Sequence, residues 1–461
     1  MTPTAVNGRI GTAPLSSLGH FKEPDSLQKI GYFALLAYVF VYLSRILEVS
    51  GLGSLKITLL LNVVWFAMAV ITGGVFSFFS TRSGALFTAF SLWAVVSLPF
   101  SVWRGGSVET VTAVFRSLSL MGAIVALTVT GKWALRMIYG IGIGMGAASI
   151  AAVFKGKTSS LGRLAMDGGT LSDPNTLCVA VLMGMPMLWL MSRNARSKLG
   201  KLLPLCFVPV ILYVAYRTGS RAGMLALLVM LVLYFIRASG FKKMQMIALA
   251  VVGVAVLASS SDRLLKRLAL IPGISSEEAP ADDDAIAAEG STEGRTFLLL
   301  KSLEFTIYHP LLGVGPGAFQ MAEQADAIAN NRRPNFHVTH NSYTEVSSEC
   351  GIPALLLYVG AIFSALGATT RVSKMAVRPG DKDAEDIRQG GLYLQLSLVT
   401  LMVGMFFLSM AYTGLIFIIC GLAMALERAA KAEYMTPATR SSQNTLPLSA
   451  PPQIPALSRI R

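Results

Sequence analysis

An all-α, polytopic integral membrane fold is predicted by two features of this sequence. Of its 461 residues, 53% are hydrophobic and 14% charged, against about 25% charged in an ordinary soluble protein. The apolar residues are gathered in runs close to the roughly 20 residues that cross a hydrocarbon core as helix. Such runs recur from Ile30 to about Glu427, so the excess apolar surface is expected to face lipid.

About twelve transmembrane helices are read from these runs, near 30–47, 57–80, 84–103, 108–130, 133–154, 174–192, 202–217, 221–237, 244–260, 342–370, 391–411 and 414–427. The last two are broken only at Tyr412-Thr413-Gly414, which leaves a tight hairpin or one long tilted helix open. The chain divides into a tail at 1–29, nine spans over 30–260, a large loop at 261–341 between helices 9 and 10, three spans over 342–427, and a tail at 428–461.

The first 29 residues are polar, with no short apolar core and small-residue cleavage site, so no cleaved signal peptide is expected. Orientation follows from Lys and Arg in short loops, which mark the cytoplasmic side. Arg193, Arg196, Lys198 and Lys201 follow span six; Arg237, Lys242 and Lys243 follow span eight; Arg371, Lys374 and Arg378 follow span ten; Arg428 and Lys431 open the final tail. Both termini are therefore placed inside and the 261–341 loop outside. Residues 261–340 hold 11 of the 25 acidic residues and seven Lys or Arg. Ser275–Gly290, with Asp282, Asp283 and Asp284, reads as a solvated acidic tether, and Glu293–His309 as an amphipathic helix lying against the membrane domain. The tail after Met435, rich in Pro, Ser and Thr, is expected to be disordered.

The formal charge of +14 is scattered between spans rather than gathered on one face, which argues for membrane lipids and against nucleic acid as the partner. Cys178, Cys206, Cys350 and Cys420 lack CxxC spacing, so neither a disulfide framework nor a zinc site is indicated. No compact His, Cys and carboxylate cluster suited to a metal is found, and no cofactor is implied.

Three outer segments place charge where the topology rule would not. Arg163 precedes Ser172-Asp173-Pro174-Asn175; Pro174 suits a first helical turn, and Asp173 and Asn175 read first as helix initiation. The short turn 217–223 confines Arg217 and Arg221 at the membrane surface, where guanidinium groups bind phosphate bidentately or snorkel to lipid headgroups. The third segment holds Arg295, the glycines 313, 315 and 317, and His340 just before span ten. A His can accept a hydroxyl proton at neutral pH. The glycine spacing lacks phosphate-loop and dinucleotide fingerprints, so a loop turn is expected. Glu345 and Glu349 share a helical face near His340 and Asn341; they orient the His or line a polar cavity. Arg116 lies inside span four, where a charge usually faces a site or a partner.

The segments 163–175, 217–223, 291–319 and 340–360 together resemble the O-antigen ligase and polymerase superfamily of bacterial membrane proteins. The most specific element is His340-Asn341-Ser342-Tyr343 entering a helix after the Gly294-Arg295 helix and the glycine loop. The resemblance implies a metal-independent, inverting transfer of glycan from an undecaprenyl-diphosphate carrier at the periplasmic face of the inner membrane. It makes His340 the general base, Arg221 and Arg295 the diphosphate clamp, and Arg163 and Arg217 further donor contacts; Arg116, Asn341, Glu345 and Glu349 are expected from their positions to be supporting residues. A ligase would use a lipid A-core acceptor, and a polymerase of O-antigen, capsule or exopolysaccharide a lipid-linked repeat unit. A lipid-linked oligosaccharide transporter is the reading from another class, and it predicts broken helices and ionisable groups near the bilayer midplane.

Overall fold

The computed structural model describes residues 24–51, 55–159, 162–237 and 283–435. Apart from a two-residue antiparallel ladder pairing Lys157–Thr158 with Leu164–Ala165, the regular structure among them is helical. Among the described residues, seven helices are long and apolar enough to cross a membrane: Ser26–Ser44, Arg82–Phe100, Arg104–Leu127, Gly131–Lys155, Pro174–Asn194, Lys198–Thr218 and Ser342–Ser373. Four more of the expected spans are present as helices that are shorter or more polar, namely Ile57–Ile71, Arg221–Arg237, Lys382–Met405 and Gly414–Ala430. The expected span at 244–260 lies outside the described residues. The chain is an all-α polytopic membrane protein.

Local chemistry sets the helix ends. Asp25, Thr81, Thr130, Asp173, Ser197, Asn341 and Asp381 each cap a helix by accepting a backbone N–H, which satisfies donors that have no partner inside the helix. The run expected as one span at 57–80 is instead two helices. Thr72, Gly73 and Gly74 intervene, with Gly73 at φ 67°, and the chain resumes as Val75–Phe79. The Lys382 helix opens with Lys382, Asp383, Glu385, Asp386 and Arg388, so only its later turns are apolar.

The alternative at the C-terminal end resolves as two helices joined by an irregular link, residues 406–413. Gly414–Ala430 is the centre of the bundle, with every residue except Arg428 buried. It packs against Arg104–Leu127, Gly131–Lys155, Ser342–Ser373 and Lys382–Met405. Up to Glu427 and Arg428 in its last turn the helix is apolar on all sides, which demands such a position.

Ser342–Ser373 is broken at Gly351, which has φ 84° and ψ 175°. Pro353 has no N–H to give Glu349, and the Glu349 carbonyl accepts from Gly315 N instead, at 2.9 Å. The Ser348 carbonyl accepts from Val314 N at 2.9 Å, Cys350 O from Trp93 Nε1 at 3.0 Å, and Ile352 N turns to Pro310 O at 2.8 Å. The break is therefore filled by protein groups from the 310–315 turn and one tryptophan.

The amphipathic helix of the large loop runs from Asp283 to Tyr308, so residues 283–290 are helix rather than tether; the rest of that expected tether, 275–282, lies outside the described residues. The helix packs against the broken helix, with Thr306 Oγ1 2.8 Å from Ser347 Oγ. Leu298, Phe305, Val314, Phe319 and Ala322 form a small apolar cluster beneath it.

Gly313 has φ 66°, and a Cβ there would collide with the Glu349 carbonyl. Gly380 has φ 88° in open space. Gly313→Ala should therefore lower the thermal midpoint of the purified protein more than Gly380→Ala, by the collision term of about 1–3 kcal/mol added to the left-handed strain that both share. Equal losses would contradict this packing.

Candidate active site

Apart from the helix carrying Arg116, the segments carrying the expected site residues meet at one end of the bundle, where Pro174–Asn194, Arg221–Arg237 and the broken helix begin and Phe207–Thr218 ends. Arg163 lies in the turn of the small ladder, just before Leu164–Ala165, and reaches across this end. Its Nε donates to Thr218 O at 2.8 Å and its Nη2 to Asn175 Oδ1 at 2.6 Å. Asn175 in turn donates from Nδ2 to Asp173 Oδ1 at 3.4 Å. Asp173 does initiate the helix, since its Oδ2 accepts from Thr176 N at 2.8 Å and Thr176 Oγ1 at 3.0 Å. Asn175 does more than initiate, because it also holds a guanidinium.

Gly219 at φ 58° ends the Phe207–Thr218 helix, and Ser220 Oγ accepts from Gly223 N at 3.1 Å to start the next. This tight turn leaves Arg221 on the first turn of the new helix. Arg221 and Asp173 are the charges nearest in effect to Arg295. Burial first, and then the Arg221 cation, press the Arg295 guanidinium below its ordinary pKa, while Asp173 opposes them; a guanidinium keeps its charge under such pressure. Among the described residues, no protein acceptor is hydrogen-bonded to the Arg295 side chain. Arg217 is not drawn into this group by its own contacts. Its Nη1 donates to Tyr213 OH at 2.9 Å and its guanidinium lies 5.8 Å from the same ring, one turn back along its own helix.

His340 joins the cationic group. Its imidazole is pushed down to about 4 by burial first and by Arg295 next, with Asp173 pulling the other way and His337 adding to the depression. The His340 and His337 rings are 6.4 Å apart. At neutral pH His340 is thus an uncharged imidazole beside fixed positive charge. Its backbone is left-handed, at φ 54°, which costs a non-glycine residue about 1–3 kcal/mol and persists only where neighbours enforce it. His340 N donates to Ser409 Oγ at 3.0 Å, and Ser409 Oγ lies 2.9 Å from Thr339 Oγ1.

The supporting residues fall elsewhere. Asn341 caps the broken helix, its Oδ1 accepting from Tyr343 N at 2.9 Å and Thr344 N at 3.1 Å. Buried Glu349 accepts from Gly317 N at 2.7 Å, Phe319 N at 3.2 Å and Tyr412 OH at 2.7 Å. Buried Glu345 accepts from Ala411 N at 3.2 Å. Both carboxyl groups grip loops, and the glycine segment proves to be a turn that cradles a side chain of the protein itself. Arg116 is exposed midway along Arg104–Leu127 and lies within electrostatic reach of Tyr38, outside the group around His340.

Asp173 as a charge among the arginines, Ser409 and Tyr412 were not among the expected site residues. Asp173 carried a signal, standing one residue before Pro174 in an outer segment with Arg163. Ser409 and Tyr412 carried none, because their importance arises only when 406–413 folds back over the start of the broken helix.

A bundle of membrane helices with three arginines and a neutral imidazole gathered at one end defines a membrane protein equipped to bind an anion beside a proton acceptor. Residues 205–359 match the family model described as O-antigen ligase, a stretch that includes Arg221, Arg295, His340 and Glu349. The match supports a glycosyl-transferring membrane role of the ligase or polymerase kind. No curated protein matches the chain.

Asp173 combines a cap with a charge, and the two are separable. Asn preserves an N-cap whereas Ala removes it at about 1 kcal/mol. Asp173→Ala should lower the thermal midpoint and Asp173→Asn should not; a comparable loss in both would assign the stabilisation to charge.

Proposed function

We propose that the chain transfers a glycan from an undecaprenyl-diphosphate carrier to an acceptor hydroxyl at the periplasmic face of a bacterial inner membrane, as an O-antigen ligase acting on lipid A-core. The observation that carries this reading is the convergence of His340, Arg295, Arg221 and Arg163 at one end of the bundle, three of the four within the matched segment.

In this mechanism Arg221 and Arg295 hold the diphosphate, with Arg163 as a further contact and Arg217 at the lipid headgroups. Neutral His340 takes the proton of the acceptor hydroxyl as its oxygen bonds to the anomeric carbon. The bond from that carbon to the diphosphate oxygen breaks, and undecaprenyl diphosphate leaves with its new charge facing the guanidinium groups. Fixed cations aimed at a leaving group act most strongly where charge develops, so no metal is required. Attack opposite the departing diphosphate inverts the anomeric centre.

The polymerase reading keeps the same chemistry and changes the acceptor to a lipid-linked repeat unit. The transporter reading draws on broken helices, and one is present. Its freed groups at Ser348, Glu349, Cys350 and Ile352 are taken up by Val314, Gly315, Trp93 and Pro310, which disfavours them as a substrate or ion site.

Transfer from purified undecaprenyl-diphosphate donor to lipid A-core in nanodiscs, with free repeat units as competing acceptors, tests the proposal. His340→Ala and Arg295→Ala should each lower transfer by on the order of a hundredfold. Extension of repeat units instead would mean polymerase, and full activity in His340→Ala would remove the base.

The pH profile gives a second test. His340 is depressed below its ordinary value to about 4, so the acid limb of kcat/KM, which reports the free enzyme, should lie near that pH. Bound diphosphate places negative charge beside the imidazole and raises its pKa, so the acid limb of kcat should fall at higher pH. Coincident limbs would mean that the diphosphate does not sit beside His340.

A further inference from the structure

The 406–413 link is stitched almost residue by residue to the start of the broken helix. Ser342 Oγ donates to Leu408 O at 2.6 Å, Met410 N donates to Ser342 Oγ at 2.9 Å, and Ala411 N donates to Glu345 Oε2 at 3.2 Å. Tyr358 OH donates to Ala411 O at 3.1 Å and Tyr412 OH to Glu349 Oε2 at 2.7 Å. Only Ser409 in this run reaches past the helix to the residues before it.

The hydroxyl arithmetic around His340 is closed. Thr339 Oγ1 donates its single proton to Asn341 O at 3.1 Å and accepts from Asn341 N at 3.4 Å. A hydroxyl has one proton to give, so in the 2.9 Å contact between Thr339 Oγ1 and Ser409 Oγ the donor is Ser409. Ser409 Oγ then accepts from His340 N at 3.0 Å. One hydroxyl on a distant segment therefore satisfies the backbone N–H of His340 and grips its neighbour, at the residue whose φ is 54°. Glu349, through Tyr412, and Glu345, through Ala411, keep that hydroxyl in place.

We propose that Ser409 is a positioning residue for His340, holding its backbone in the left-handed conformation and thereby setting where the imidazole points relative to the bound acceptor. The idea rests on the proposed role of His340 as base. Without the Ser409 hydroxyl, the His340 N–H loses its acceptor and the backbone relaxes toward negative φ, which swings the ring out of line. The donor clamp stands on other elements and is untouched.

The test compares Ser409→Ala with Ser409→Thr, which retains the hydroxyl, in full-length protein in nanodiscs. Four His residues are present in the sequence, so carbon-13 labelling of the His rings gives a short spectrum in which His340→Gln assigns the signal of interest. Ser409→Ala should shift the His340 signal most, with any change at His337, 6.4 Å away, smaller and the other two unmoved, and Ser409→Thr should restore the His340 signal. In turnover with undecaprenyl-diphosphate donor, Ser409→Ala should lower kcat by about tenfold to a hundredfold, the scale set by a misplacement near 1 Å, and leave donor KM within about twofold. The same substitution should cost nothing further in a His340→Ala background. An unchanged His340 signal, shifts spread over all the His rings, or an equal further loss in the His340→Ala background would overturn the proposal. If the intact protein transfers no glycan, the functional reading fails, while the ring spectrum still decides whether Ser409 sets the position of His340.

Discussion

The carboxyl group of Glu349, buried beside a break in a membrane helix, is the joint on which the functional end of this protein depends. A polar group in that position must be fully bonded, since leaving one partner unmade costs about 1–3 kcal/mol. Its partners are supplied by two separate stretches of chain, Gly317 N and Phe319 N from one and Tyr412 OH from the other. The first stretch follows the helix that carries Arg295, and the second carries the hydroxyl that holds His340. One side chain thus connects the cationic limb of the site to its imidazole limb. The glycines at 313, 315 and 317 serve the same joint, because a Cβ at any of them would strike Glu349, Ser101 or Thr110. The break itself follows from Gly351 and Pro353, one permitting the backbone turn and the other withholding the N–H that would bridge it.

Electrostatics explains why such joints are required. Like charges repel more strongly where water is scarce, and Arg295 feels Arg221 directly. The protein offsets this with neutral acceptors and one carboxylate. Thr218 O and Asn175 Oδ1 take the Arg163 guanidinium, and Asp173 opposes the pressure on both Arg295 and His340. Asp173 stands at a helix N-terminus, where a negative charge is already favoured. The resting balance leaves Arg295 without a hydrogen-bonded protein acceptor among the described residues, pressed by burial and Arg221 and relieved by Asp173.

Much of the fold was legible because membrane burial writes itself along the chain. Run length marked most of the helices among the described residues, and Asp173 with Pro174 marked a helix start through local bonding. The last span was readable at 414–427, but its central position was not, and burial of nearly all of Gly414–Ala430 shows it. What stayed hidden depends on contacts between distant residues. Nothing near Ser409 distinguishes it from other serines in apolar surroundings, and the direction of Arg217 is settled by Tyr213 one turn away. The extension of the loop helix back to Asp283 also ran against its acidic composition, whose charges alone read as a tether. For the site, types of residue were readable and their pairing was not. Glu345 and Glu349 were expected to orient His340 or line a cavity, and they bind loops instead, touching the His only through the link they anchor.

On the proposed chemistry, the depressed pKa of His340 has a consequence for the order of events. A base at about 4 is uncharged at neutral pH but accepts a proton weakly, because its charged form would face Arg295 across a poorly solvated gap. The diphosphate of a bound donor reverses that field, and the imidazolium becomes tolerable only when the leaving group is in place. Proton removal from an acceptor is thereby tied to donor occupancy by electrostatics alone, with no moving part. Ligase and polymerase would share this coupling, since it involves the carrier diphosphate and the base but not the acceptor. The difference between them must then lie in surfaces away from the arginine and histidine group, where the acceptor glycan is held.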